Sequence, residues 1–374
     1  LTAGARYVDL EAGYPLQGLP PSRVIRSRHL SDDQPASRRR ALQDLLAAPG
    51  ALVKWVAPVA ESRDLCDEEK ILLSSPRPAL VIHGGSGGAW TRACPPGLDW
   101  SYVAQDDGPE TGPGQYRLKE HCQLGGLPLY GLLGWPVAHS LSPLVHNALR
   151  RRRGLPGSYV PVPCRRLEGL LEGLGRRFAG FSVTAPHKIQ ALALADTPDA
   201  IARATGAANT LRRCASGWEA TNTDATALRD LLQDKGIGPG TTCTIVGGGG
   251  FARAALWATR ELGADRSLVV RRPKASATLA ATFDADLVAL SSWHPGNEDV
   301  LIQATSDPAA IAQRGQPDPH TWLVEAVYAS ESPWTRNHKR LISSRRIFAA
   351  QAAAQASYWL GETISRDEVE ALLP

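Results

Sequence analysis

Between residues 134 and 224 four short phrases concentrate side chains suited to a small hydroxylated acid: 134–143, 180–188, 206–210 and 221–224. They supply the hydroxyls of Ser140, Ser142 and Thr184, the amide of Asn209, one lysine (Lys188) and one carboxylate (Asp224). A lysine beside a carboxylate can give a proton to a carbonyl oxygen or take one from a hydroxyl, while the carboxylate orients both. Any one phrase could be a capped turn. Four in succession, each at the end of a predicted strand where α/β folds gather ligands, point to a site.

A second kind of chemistry follows. Residues 244–246 read as a strand, Gly247, Gly248, Gly249 and Gly250 as a turn, and Phe251 onward as the start of a helix. Glycines let the backbone turn tightly and approach a pyrophosphate, which then faces the free N–H groups of the helix N-terminus. The next predicted strand, 267–270, ends in Arg271, Arg272, Pro273 and Lys274. In a dinucleotide fold this position faces the adenosine ribose, where an acid binds a 2′-hydroxyl and arginines accommodate a 2′-phosphate. NADP is therefore expected over NAD.

The elements that must carry these groups are legible as alternating patterns. At 374 residues the chain should hold two or three domains. From residue 1 to about 120, strand-like runs at 6–11, 23–27, 52–56 and 79–83 alternate with helical stretches, one amphipathic near 37–48, which implies parallel strands with crossover helices. Residues 105–115 form a polar, Gly/Pro-rich loop or linker approach. A second unit begins at 127–133, and 235–240 reads as a hinge before a third unit at 241. An alanine-rich helix over 347–360 is long enough to pack across a domain boundary.

Composition excludes several classes. Hydrophobic content of 43% and charged content of 21% fit an ordinary globular protein. The net charge of +4 comes with dispersed arginines and no aromatic interleaving, so no nucleic-acid partner is expected. Six scattered cysteines give neither a zinc cluster nor a disulfide framework, and no metal is expected. With no apolar run of membrane length and no signal peptide, no membrane partner is expected and a cytoplasmic location is. The chain has no methionine and opens at Leu1, so a longer natural N-terminus is expected.

The four phrases, in this order and followed by the glycine loop, resemble the shikimate dehydrogenase family over about residues 128–361. The resemblance implies that Ser140 and Ser142 hold the substrate carboxylate, that Thr184, Asn209, Asp224 and Gln351 bind ring hydroxyls, and that Tyr328 lines the cleft. It makes Lys188 and Asp224 the catalytic pair for reduction of a 3-ketone. It assigns Gly247, Gly248, Gly249, Gly250, Phe251, Arg271, Arg272 and Thr305 to NADP. This chain departs from the family at Ser182 and Gln303, where Asn is usual, at Arg271 and Pro273, and in a shorter stretch between Tyr328 and Gln351.

Residues 1–120 resemble the later strands of type I 3-dehydroquinate dehydratase. That resemblance implies a Schiff-base lysine at Lys54, a general acid/base at His29, and substrate contacts at Arg92, Thr111 and Gln115, the early strands of the barrel being absent. Fused enzymes for these consecutive steps are a known arrangement, so each resemblance supports the other. The expected fold is α/β: a partial (β/α) barrel over 1–122, a shikimate-binding domain over 123–234 plus 346–374, and a Rossmann-type NADP-binding domain over 235–345. The expected ligands are small molecules, shikimate and 3-dehydroshikimate, with a homodimer as the candidate assembly. Two other readings stand beside a bifunctional enzyme. A regulatory protein sensing quinate or shikimate is disfavoured by the retained Lys188 and Asp224, and an NAD-dependent quinate/shikimate dehydrogenase by the paired arginines.

Overall fold

β-Branched and aromatic runs bounded by glycine or proline build the first sheet. In the computed structural model, strands β1 (Val8–Glu11), β2 (Val24–His29), β3 (Leu52–Pro58) and β4 (Ala79–Gly84) lie side by side in chain order, every neighbouring pair parallel. Helices α1 (Pro35–Ala47) and α2 (Cys66–Leu73) make the last two crossovers. The structure describes residues 4–374 except 32–34, 60, 86, 96–97, 99, 110–111, 113–114, 175–176, 306, 308–310, 312, 327–331 and 333. Strand alternation decides what each face carries. Val53, Trp55 and Ala57 join Leu42, Leu45 and Leu72 in the core beneath the helices, so Lys54 and Val56 face the other way.

The chain forms two compact units, Leu1–Ala179 and Gly180–Pro374. The first also contains α3 (Leu118–His121), β5 (Leu129–Gly134), α4 (Ser142–Arg152), β6 (Ser158–Pro163) and α5 (Leu170–Leu174), with β5 and β6 parallel. The division falls inside β7 (Phe178–Val183) rather than near residue 122, and the first unit's packing gives a physical reason. Glu69 of α2 pairs with Arg177 at 2.6 Å, both side chains almost fully buried. The Trp90 ring meets Phe178 edge-on at 5.4 Å, and Gly173 of α5 has no room for a Cβ against Cys66. The front sheet thus shares a core with the elements that follow it.

In the second unit, Gly180–Ser182 of β7 pair antiparallel with β9 (Thr210–Cys214), which forms a hairpin with β10 (Gly217–Thr221). The short β8 (Thr197–Pro198) runs parallel to β10. Helices α6 (Lys188–Ala193), α7 (Ala200–Thr205) and α8 (Thr223–Gln233) connect these strands onward. The last sheet is entirely parallel: β11 (Thr242–Val246), β12 (Asp265–Val270), β13 (Asp286–Ala289), β14 (Val300–Gln303), β15 (Trp322–Glu325) and β16 (Leu341–Ile342), in spatial order β13-β12-β11-β14-β15-β16. Its order reverses between β11 and β14, the switch point where doubly wound sheets take ligands. Helices α9 (Gly250–Glu261) and α10 (Pro273–Thr282) follow β11 and β12. The long α11 (Ser344–Leu360) returns to β9, where Arg212 donates to the Tyr358 carbonyl at 2.8 Å and Trp359 Nε1 to the Leu211 carbonyl at 2.9 Å. A last helix, α12 (Arg366–Glu370), follows it. Among the described residues no helix is long and apolar enough to cross a membrane.

Candidate active site

Lys188 is the first residue of α6, and Asp224 lies in the first turn of α8. Their side chains meet at 2.6 Å (Nζ to Oδ2), with 15% and 7% of side-chain surface exposed. Partial burial makes the pair more than a surface ion pair while leaving Nζ a path to a ligand. The Lys188 carbonyl accepts from Ala208 N at 2.8 Å, tying α6 to the turn that presents Asn209. Asn209 is 1% exposed. Its Oδ1 accepts from Thr223 N at 2.8 Å and Thr210 Oγ1 at 2.9 Å, and its Nδ2 donates to Thr223 Oγ1 at 3.0 Å. The residue beside Asp224 therefore holds Asn209 in place.

Ser140 and Ser142 belong to the first unit and sit together: Ser142 N and Ser140 Oγ are 3.2 Å apart, as are the two hydroxyl oxygens. Thr184 and Gln351 lie in the second unit at the end of β7 and on α11, both half-buried. Tyr328 and Thr111 lie outside the described residues.

The predicted cofactor groups cluster at the switch point. Gly247 has φ of 124°, and a Cβ there would stand 2.8 Å from the Ala304 carbonyl oxygen and 3.1 Å from Thr305 N, so only glycine lets the loop pass the end of β14. Thr305 N donates to Gln303 Oε1 at 2.7 Å, fixing that neighbouring strand end. Gly248 and Gly249 are exposed, and a Cβ on Gly249 would meet nothing within 4 Å. The first turn of α9, twelve residues long, has no side-chain cap on its N–H groups. An open glycine cradle leading to an uncapped helix N-terminus fits a pyrophosphate. Arg271 and Arg272 are exposed beyond β12 and make no ion pair among the described residues, which fits a 2′-phosphate. Gly250 connects the two halves of this site: a Cβ on it would stand 2.8 Å from the Lys188 Cβ and Cδ. Lys188 Nζ also lies 5.9 Å from the centre of the Phe251 ring.

The front sheet carries a separate cavity of about 710 Å³ lined by His29, Lys54, Arg92, Tyr102 and Gln115 among others. Four of the five predicted front residues thus share one wall system. Pattern reading missed the two carboxylates of β1. Asp9 Oδ2 lies 2.7 Å from Lys54 Nζ, and Glu11 accepts from the backbone N–H of His29 at 3.0 Å while its Oε2 lies 2.8 Å from His29 Nδ1. Burial pushes Glu11 up, yet the His29 contacts outweigh this and hold its carboxyl below its ordinary value. The alternating spacing of Asp9 and Glu11 on one strand was the available signal. Behind the strands, Glu68 accepts from Trp55 Nε1 at 2.9 Å and is paired with Arg38 and His83. Burial raises Glu68, but the His83 and Arg38 hydrogen bonds and charges more than reverse this and hold it at about 2.

A model of the shikimate dehydrogenase substrate binding domain matches residues 132–211. The shikimate dehydrogenase (NADP(+)) of Anaeromyxobacter dehalogenans strain 2CP-C is 42% identical over 196 residues, covering 51% of this chain and 69% of that enzyme. The pentafunctional AROM polypeptide of Malassezia globosa is 32% identical over 305 residues, 73% of this chain and 19% of that polypeptide. A solved shikimate 5-dehydrogenase from Thermus thermophilus, in complex with NADP(H) and shikimate, is 29% identical with a TM-score of 0.57, covering 66% of this chain and 98% of that one.

Proposed function

The chain belongs to the shikimate dehydrogenase family, and on that premise we propose that it reversibly reduces 3-dehydroshikimate to shikimate with NADPH. The observation that carries this reading is the Lys188–Asp224 pair at 2.6 Å, with the Lys188 stem lying against Gly250 of the glycine loop. Residues 123–234 plus 346–374 hold the substrate, and 235–345 hold the cofactor through the glycine loop, Arg271, Arg272 and Thr305. The chemistry NADPH supplies when bound is hydride donation to a carbonyl carbon. Lys188 gives the proton that the resulting oxygen needs and takes it back in the oxidative direction. Asp224 keeps the lysine aimed and accepts from the neighbouring hydroxyl. Ser140 and Ser142 receive the carboxylate, while Thr184, Asn209 and Gln351 receive ring hydroxyls.

The front cavity supports a second activity, dehydration of 3-dehydroquinate, which would place consecutive steps of aromatic amino acid biosynthesis on one chain. Lys54 forms the Schiff base with the ketone and His29 moves the proton during loss of water, with Arg92 and Gln115 holding the substrate. The match to a pentafunctional polypeptide supports this, since the 73% of the chain it covers exceeds what residues 128–374 contain.

The test is NADPH formation with shikimate, beside quinate and NAD as alternatives. Formation of NADPH with shikimate is expected. Binding of shikimate with no reduction of either cofactor would favour a sensing protein instead. For the front cavity, borohydride with 3-dehydroquinate should leave a covalent adduct on Lys54 by mass spectrometry, and an unmodified Lys54 would remove that activity.

A further inference from the structure

Thr184, Asn209 and Gln351 come from three separate elements, and one further amide, that of Gln355, touches Asn209, shares a helix face with Gln351 and reaches the strand of Thr184 through Ser182. Gln355 is 2% exposed, Ser182 4% and Asn209 1%. Ser182 Oγ donates to Gln355 Oε1 at 2.9 Å, and Gln355 Nε2 donates to the Asn209 carbonyl at 3.1 Å. Ser182 precedes Thr184 by two residues, so the two share a face of the extended chain. Gln355 follows Gln351 by one helical turn, so these two share a face of α11. We propose that Gln355 is a positioning residue for the dehydrogenase reaction, setting the spacing of Thr184, Asn209 and Gln351 around the substrate; this rests on the shikimate reading above.

The composition of α11 explains why such a device is needed. Its buried face includes Ala349, Ala352, Ala353 and Ala356. Methyl groups interlock poorly, so apolar packing alone specifies the rotation and slide of this helix weakly. A buried, satisfied hydrogen-bond pair is directional and specifies both, in the way a single polar residue sets register in a helical seam. The shorter Ser182 side chain also leaves the hydroxyl dependent on a partner reaching from α11, and Gln355 is that partner.

The test uses the full chain with Gln355→Leu, which roughly keeps volume, and Ser182→Ala, the milder change. The Asn209 carbonyl keeps its bond from Val183 N at 2.7 Å, so neither variant strands that group. Steady-state kinetics, shikimate affinity by calorimetry and thermal midpoints are measured together. A misplacement of an ångström or less in a positioned site can cost up to about 100-fold. Gln355→Leu should therefore lower kcat/KM for shikimate by roughly 10- to 100-fold, with a raised shikimate KM and the NADP+ KM within about twofold. Ser182→Ala should show the same pattern at smaller size and carries the test if the leucine variant does not fold. A folded Gln355→Leu protein with wild-type shikimate KM and affinity would overturn the proposal. Equal losses for shikimate and NADP+ would overturn it too, since they would mark a general packing role. If the wild type binds shikimate without turnover, the enzyme reading falls and the affinity comparison alone decides the role of Gln355. If the wild type does neither, both fall.

Discussion

In the proposed reaction Lys188 gives a proton to a ketone oxygen and recovers one from solvent or product, and its 15% side-chain exposure beside a buried carboxylate leaves it a path to both. Removing such a general acid typically costs ~100- to 10,000-fold. Lys188→Ala should lose turnover on that scale while leaving the NADP+ dissociation constant, read by fluorescence titration, nearly unchanged. Wild-type turnover in that variant would sink the assignment. At this scale local phrases of the sequence single out Lys188, Asp224 and Asn209, which the structure brings together. The sequence is silent where a partner is supplied from elsewhere in the fold. Asp9 is 45 residues from Lys54, and Gln355 is 173 from Ser182. No local pattern joins such pairs, because strand order and helix docking create them.

At the scale of elements, glycine placement is the sharpest constraint. Replacing a glycine by alanine at a position whose backbone alanine can adopt ordinarily stabilises by about 0.4–1 kcal/mol. Gly250 should behave oppositely, since the added Cβ would stand 2.8 Å from the Lys188 stem. Gly250→Ala should reduce kcat for shikimate oxidation, and if the cradle shifts with it, raise the NADP+ KM as well; unchanged kinetics would refute the contact. Gly249→Ala, with open space around its Cβ, should leave Lys188 undisturbed, so any loss there should fall on NADP+ binding alone. Strand periodicity located β2, β3, β4, β11 and β12 to within two residues at either end. The division inside β7 was not legible, because it depends on α2 and the Ala89–Ala93 turn packing onto later elements rather than on any break in composition.

At the scale of the molecule, the first unit is joined by a buried ion pair and a buried carboxylate network. Taking one member from a buried pair leaves an uncompensated charge and costs about 3–5 kcal/mol. Glu69→Ala should therefore lower the thermal midpoint of the first unit markedly, while Arg165→Ala, partner of Glu61 with 64% of its side chain exposed, should change it little. The Glu68 carboxyl is held at about 2 in the folded protein against an ordinary 4.5. A depressed folded-state value contributes stability above the unfolded value and loses it as pH falls. The first unit should weaken progressively between about pH 4.5 and pH 2, and denaturant midpoints across that range should flatten in Glu68→Gln. An unaltered acid profile in the variant would show that other carboxylates dominate.

The shared core of the first unit has a consequence for how the protein ages and fails. The front cavity and the loop bearing Ser140 and Ser142 belong to one compact body, so heat that opens the front sheet should take the proposed carboxylate seat with it. If the proposed dehydration and reduction both reside on this chain, they should then decay with a single half-life during incubation at elevated temperature. A lesion at Glu69 or Arg177, away from the cavity and from Ser140 and Ser142, should register in a complementation assay as the simultaneous loss of both proposed steps rather than of one.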